Sequence, residues 1–473
     1  MLCALLLCLP ARAQVYSTNR KAQQAFERAG NQLRNLQYEL AIASLETALS
    51  LDPGFAAAHQ QLADVFRRQR RFEEAANHYT QVVELNPGLT PLTWFGLGES
   101  LLHTGRYPEA VPALERYLAS PGLDARGQRL TEKYLADCRF AIKALNHPQP
   151  FAPHNPGPAI NSSADEYFPR LTADHRHIIF TRKENDRENF YESTADSTGS
   201  WGTASLLQGE INSDLYNEGA HCLSPDGKYL FFTGCNRPDG LGSCDIYVAR
   251  REGDRWSSPH NLGTPINSSG WEAQPSLAAD GRTLYFVSNR PGGQGGYDLW
   301  RSALREDGRW DTPENLGPAI NTPYDESSPH IHADNRTLYF ASNGWPGFGD
   351  KDVFRSQMDS AGNWQEPVNL GYPINDHHEQ SALTVSMNGR QAFFSSRRDD
   401  ALGGLDIYAF ELPPEMRPHP VAYLAGTIVD ADDRSPLQAT VTVTDIETNR
   451  VVYAEPADYE DGSFLAPLPF GKT

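Results

Sequence analysis

Gly263-Thr-Pro-Ile-Asn267, Glu272, Asp280-Gly-Arg-Thr-Leu-Tyr-Phe286, a glycine-rich loop, Asp298-Leu-Trp300, Trp310 and Glu314-Asn-Leu-Gly317 form one copy of a sentence that the chain repeats. The next copy starts at once with Pro318-Ala-Ile-Asn321. The isoleucine of the Ile-Asn pair recurs at Ile160, Ile211, Ile266, Ile320 and Ile374, with spacings of 51, 55, 54 and 54 residues. Such a period marks stacked supersecondary units. Each copy holds four strand-like pieces, with hairpin dipeptides at Asp226-Gly227, Asp280-Gly281, Asp334-Asn335 and Asn388-Gly389. Phe231-Phe232, Tyr339-Phe340 and Phe393-Phe394 give the second piece the aromatic content of a buried strand. A four-stranded sheet of this kind buries both faces only against like neighbours, so the pattern predicts a β-propeller of five blades, with six as the alternative count.

Asp-Gly, an aromatic strand and then Asp-Ile-Tyr (Asp245-Ile-Tyr247, Asp406-Ile-Tyr408) resemble the TolB-like, WD-related propeller repeats of Gram-negative envelope proteins. The first copy departs from the pattern, with Asp174-His175 in place of Asp-Gly and no glycine loop. Fold alone does not give activity.

Upstream, between Lys21 and Leu145, the periodicity turns helical. Pro53, Pro87 and Pro121 stand 34 residues apart, as do Tyr38 and Phe72, and Ala41, Ala75 and Ala110 mark close helix contacts. With Trp94, Leu97-Gly98 and Leu101, this array resembles three tetratricopeptide (TPR) repeats followed by a capping helix over 123–145. The resemblance implies a concave face that takes a peptide or partner helix.

Residues 1–13 read as an export signal: an apolar Leu2–Leu9 core and an Ala11-Arg-Ala13 cleavage site before Gln14. Cys8 raises a lipoprotein alternative, although Leu7 stands where a small residue is wanted. The organisation expected is therefore signal peptide 1–13, TPR array 14–146, propeller 147–413 and a small β-sandwich over 414–473. That last segment, with Ala425-Gly-Thr-Ile-Val-Asp430 and Ala439-Thr-Val-Thr-Val-Thr444, is similar to the front of a carboxypeptidase-regulatory-like domain. The proline-rich linker carries Asn155-Pro-Gly-Pro-Ala-Ile-Asn161, a fragment of the repeat, whereas the fifth copy lacks its last strand. Residues 151–160 are therefore expected to close the ring as the outer strand of the fifth blade.

A net charge of −19 over 473 residues disfavours nucleic acid and anionic lipid as partners. No apolar run approaches the roughly 20 residues of a membrane helix. The chain has no Gly-x-Ser-x-Gly elbow, no His-Glu-x-x-His pair and no phosphate loop, and no cofactor or metal is expected. His330 and His332 share a strand face, and His377-His378 adjoin Glu379, but neither group has a third ligand at suitable spacing. Glu166, Glu218, Glu272 and Glu326 each precede the hairpin by eight residues, with Glu379 one position out of register. These acids either ring a channel mouth, where they would collect cations, or accept hydrogen bonds at the turns between blades. Cys235 and Cys244 flank one loop and, in an oxidising compartment, are expected to form a disulfide; Cys138 and Cys222 are expected to stay reduced.

The order TPR, propeller, regulatory-like segment resembles a group of OmpA-family cell-envelope proteins. It implies an outer-membrane-associated scaffold of the periplasm, with envelope proteins as partners. In that group peptidoglycan is bound by a further OmpA-like domain that these residues lack, and some members serve type IX secretion. The alternative function is an exported propeller hydrolase or lyase acting on glycan or peptide.

Overall fold

The computed structural model describes residues 16–398 and 400–469. The expected export signal, its cleavage site and Cys8 lie outside the described residues. The chain packs as two units. One holds the helices up to His147 with the short segments Pro346–Asp350 and Asp376–His378, and the other holds the remaining residues.

Seven helices make up the first unit: α1 (Arg20–Arg34), α2 (Tyr38–Leu51), α3 (Ala56–Arg68), α4 (Phe72–Leu85), α5 (Pro91–His103), α6 (Tyr107–Leu118) and α7 (Ala125–Leu145). The Asn19 side chain caps α1 by accepting from the Lys21 and Ala22 amides, and Asp124 caps α7 through the Gly127 amide. Ala41, Ala75 and Ala110 are fully buried, where any larger side chain would push paired helices apart. At Gly96 a β-carbon would run into the Tyr79 ring, so the bare backbone sets the α4–α5 approach. Tyr107, Phe140 and the fully buried Phe348 meet ring to ring in this unit.

The second unit is built on five antiparallel sheets. The first strands of successive sheets, Asp165–Leu171, Asn217–Leu223, Glu272–Leu277, Glu326–Ile331 and Thr384–Val385, are neighbours around a common axis. Second and third strands follow outward by hairpins, and short fourth strands such as Glu314–Asn315 pair with the third. The fifth sheet contains three strands, Thr384–Val385, Gln391–Ser396 and Asp406–Glu411. Its outer edge is taken by His154, whose backbone exchanges hydrogen bonds of 2.9 and 3.0 Å with Ala409, while Phe151 packs on Phe394 and Phe410. The two ends of the domain thus share one blade, which leaves no open sheet edge at the seam.

Five apolar clusters fill the five interfaces between blades. That between the first and fifth blades contains Ile160, Ile178, Phe180, Phe393, Ile407 and Ala409. Each repeat isoleucine is buried in such a cluster, and this explains the Ile-Asn period. After the propeller, Val421–Thr427 pairs with Ser463–Pro469, and Thr440–Asp445 with Arg450–Pro456, giving two two-stranded ribbons.

Candidate functional site

The repeated polar residues are occupied in joining blades. Asn161, Asn212, Asn267, Asn321 and Asn375 each present a side-chain amide to one backbone residue on the third strand of the preceding blade. Asn321 Oδ1 accepts from the Leu299 amide at 2.8 Å while its Nδ2 donates to the Leu299 carbonyl at 3.0 Å. The pair is repeated at Ile407, Phe190, Ile246 and Val353. An asparagine amide is the side chain that offers both a donor and an acceptor at this reach.

The acids sit at the same turns rather than at a channel mouth. Glu166, Glu218, Glu272 and Glu326 are fully buried. Glu272 accepts from the Ser268 amide and hydroxyl, both at 2.7 Å, from Ser288 Oγ at 2.6 Å and from Arg290 Nη2 at 3.2 Å. Arg182 and Arg237 play the part of Arg290 for Glu166 and Glu218, at 2.6 and 2.7 Å. Glu326 has Thr322 and Ser342 but no such arginine, because Trp345 takes its place and donates to the Ile320 carbonyl. Burial pushes the Glu326 carboxyl up to about 7, and it does the same to Glu218 even though Arg237 is beside it. Glu379 does not belong to the set. It is exposed, and the buried Gln380 occupies the corresponding position, its backbone N–H donating to the Lys351 carbonyl as the backbone N–H of Glu326 donates to that of Tyr297. The one-residue offset read from sequence is resolved by a neutral amide standing in for the acid.

The third-strand aspartates cap the glycine loops. Asp298 accepts from the Gly295 amide at 3.1 Å, and Asp406 from those of Leu402 and Gly403 at 2.8 and 3.1 Å. A β-carbon at Gly242, Gly295 or Gly403 would collide with a backbone carbonyl of the next blade, so these loops are packing joints. Cys235 and Cys244 face each other across the second and third strands of the second blade and form a disulfide; Cys138 and Cys222 are free and buried. His332 is buried and bonds to the Ser386 carbonyl at 3.1 Å. The third ligand-type atom that spacing failed to supply to His377 and His378 comes from Asp376, all three lying within 4.8 Å. The Asp376 carboxylate is already held by the ring and amide of the exposed His378.

Unlike residues converge elsewhere, on the axis. The first strands of four blades carry a residue at positive φ, Phe168, Ala220, Gln274 and Ser328, and Ala382 stands two residues before the fifth, all at 41–56°. In the first four blades the strand pairing shifts at this residue, as at a β-bulge, which turns the next side chains toward the axis. Two residues further on stand Arg170, Cys222, Ser276, His330 and Thr384, one per blade, and all five line a single axial cavity of about 120 Å³. Arg170 is 6% exposed. Its Nε donates to the His221 carbonyl at 3.0 Å, and Nη1 donates to Thr384 Oγ1 and reaches the Pro169 carbonyl at 3.5 Å. The Cys222 thiol is pushed up to about 12 by burial, and burial together with the Arg170 charge holds His330 well below its usual value. His221, next to the ring, is lowered to about 3 for the same two reasons. Sequence reading missed this set because it sought residues that repeat; the signal was a position at constant repeat offset whose residue differs in every blade.

In the helical unit a chain of polar contacts crosses four helices. Tyr79 donates to Asp64 at 2.6 Å, Arg67 donates to Tyr79 at 3.1 Å and pairs with Glu99, and Tyr134 donates to Glu99 at 2.9 Å.

Residues 26–88 and 61–125 match the tetratricopeptide repeat model. Helices α1–α6 are a tetratricopeptide array. No curated protein matches the chain. Among solved structures, TolB from Acinetobacter baumannii is similar over 62% of this chain and 71% of its own, with 17% identity and a TM-score of 0.37. The α-L-arabinofuranosidase PaAbf62A from Podospora anserina, solved with cellotriose, covers 56% of this chain and 97% of its own at 10% identity and a TM-score of 0.38. The Yersinia enterocolitica type III secretion chaperone SycD, in complex with a peptide of the translocator YopD, covers 25% of this chain and 91% of its own at 19% identity and a TM-score of 0.22.

Proposed function

We propose that the chain is a non-catalytic scaffold of an exported, cell-envelope assembly, in which the tetratricopeptide array takes a protein partner and the propeller serves as a platform. The observation that carries this reading is the array itself: repeats of this kind expose extended binding surfaces along their stacked helices. The non-catalytic part is supported by the axial ring, where burial raises the thiol and lowers the imidazole so that both stay uncharged near pH 7. Neither exchanges protons readily near pH 7, as acid–base catalysis requires. The repeated carboxylates are committed to turns and are not free to divide an acid and a base role between them. The envelope location rests on the resemblance to OmpA-family proteins and on the export signal read in residues 1–13.

A photo-crosslinking residue at Gln24 or Gln60 on the array, compared with one at Arg309 on the propeller exterior, tests the proposal in cells expressing the full chain. One discrete adduct from the array positions, recovered with the envelope and lacking at Arg309, is the expected result. Equal adduct patterns at all three positions would refute it.

A further inference from the structure

We infer that the axial cavity of the propeller is a carboxylate-binding site centred on Arg170. The inference is independent of the scaffold reading and concerns the opposite part of the chain from the array. A buried guanidinium normally lies against a carboxylate, since an uncompensated buried charge is costly. Among the described residues no carboxylate pairs with Arg170, although every other arginine at the inter-blade turns named above has its glutamate. Arg170 is held instead by two backbone carbonyls and one hydroxyl, which carry no compensating charge.

The rest of the ring is unbalanced in the same direction. His330 Nε2 accepts from the Val385 amide at 3.1 Å, so in the neutral ring the proton sits on Nδ1. Ser276 Oγ accepts from the Ile331 amide at 3.1 Å and Cys222 Sγ from the Leu277 amide at 3.3 Å, which leaves the O–H and S–H hydrogens to be donated. Thr384 is already committed, since its hydroxyl donates to the Pro169 carbonyl. Arg170 Nη2, His330 Nδ1, Ser276 and Cys222 thus supply four donors around one cavity. Burial lowers the imidazoles of His175 and His330, which line the cavity, and that of His221 beside it, so the site holds one positive charge, and a monoanion balances it. A carboxylate has that charge and suits the planar fork of a guanidinium. A phosphate dianion would leave net negative charge buried.

Access is from the hairpin end. Thr172, Ala173, Pro225 and Gly227 line both the cavity and a cleft bordered by Tyr423, Ala425 and Asp461 of the C-terminal ribbons. The carboxylate therefore arrives either on a small free acid or at the C-terminus of a peptide threaded through that cleft.

Ligand-observed NMR on the full chain tests this, with propionate, propionamide, a pentapeptide ending in a free carboxylate, its C-terminal amide, and inorganic phosphate at constant ionic strength. Saturable binding of propionate but not propionamide is expected, weakened at least tenfold by Arg170→Met. If Arg170→Met does not fold, His330→Gln, whose side-chain oxygen can still accept from the Val385 amide, serves instead and is expected to weaken binding severalfold. Tighter binding of the free peptide than of propionate identifies a chain terminus as the source; equal binding identifies a free acid. No saturable propionate binding at millimolar concentrations, equal binding by Arg170→Met, or a preference for phosphate would each overturn the inference.

Discussion

Replacing Glu272 and Glu326 by glutamine makes the same chemical change at equivalent turns of adjacent blades, with unequal cost expected. Glu272 is fully buried and pairs with Arg290, whose side chain is 10% exposed. Removing one partner of a pair this deep strands the other and costs about 3–5 kcal/mol, against about 0–1 kcal/mol for a surface pair. Glu326 has no arginine, and the fifth blade already uses Gln380 at this position. Glu326→Gln keeps most of the acceptor geometry and removes a charge that burial opposes, so a cost within about 1 kcal/mol is expected at pH 8. For a domain of this size each kcal/mol moves the midpoint by about 2–4 °C, so Glu272→Gln melts about 6–20 °C lower and Glu326→Gln within about 4 °C of the parent. Thermal unfolding of the full chain, followed by tryptophan fluorescence at pH 8, reads both. The pH dependence adds a second check. With its folded value raised from 4.5 to about 7, Glu326 contributes stability that is full below about 4.5 and lost as pH rises through 7. That gap corresponds to about 3 kcal/mol at full titration. Acidifying from pH 8 to 5.5 therefore stabilises the parent relative to Glu326→Gln. Equal melting shifts for the two variants would refute the assignment of Arg290 as the deciding partner, and no pH-dependent difference would refute the burial-raised value at Glu326.

Asn321→Ala leaves the buried Leu299 amide and carbonyl without partners, at about 2–4 kcal/mol, and hydrogen exchange at Leu299 is expected to accelerate while that at Ile407 does not. Cys235→Ser with Cys244→Ser opens a short loop and is expected to cost about 2–3 kcal/mol in oxidising buffer and nothing in dithiothreitol, measured by denaturant unfolding. His78, lowered to about 4 by burial and by His59, contributes stability that is complete above about 6.5 and lost as pH falls through 4; His78→Gln is expected to flatten the acid limb of the α-helical circular dichroism melt.

Sequence by itself determined the architecture. A 54-residue period with an aromatic second strand has few solutions other than blades, and a 34-residue period with buried alanines dictates paired helices, because each repeat must bury its apolar face against the next. The fragment Asn155–Asn161 was legible as the seam for the same reason: an edge needs a partner. What the repeated polar residues do was legible only as alternatives, since spacing places Glu272 beside a hairpin but does not say whether it faces solvent or Ser268. Tertiary structure decided that, and decided that Gln380 rather than Glu379 completes the series. It alone revealed the axial ring. Arg170, Cys222, Ser276, His330 and Thr384 lie more than 50 residues apart from one to the next and share no residue type. A residue-type pattern cannot express their meeting; ring closure creates it, by bringing five equivalent positions to one axis and leaving a buried charge there without a counter-ion among the described residues.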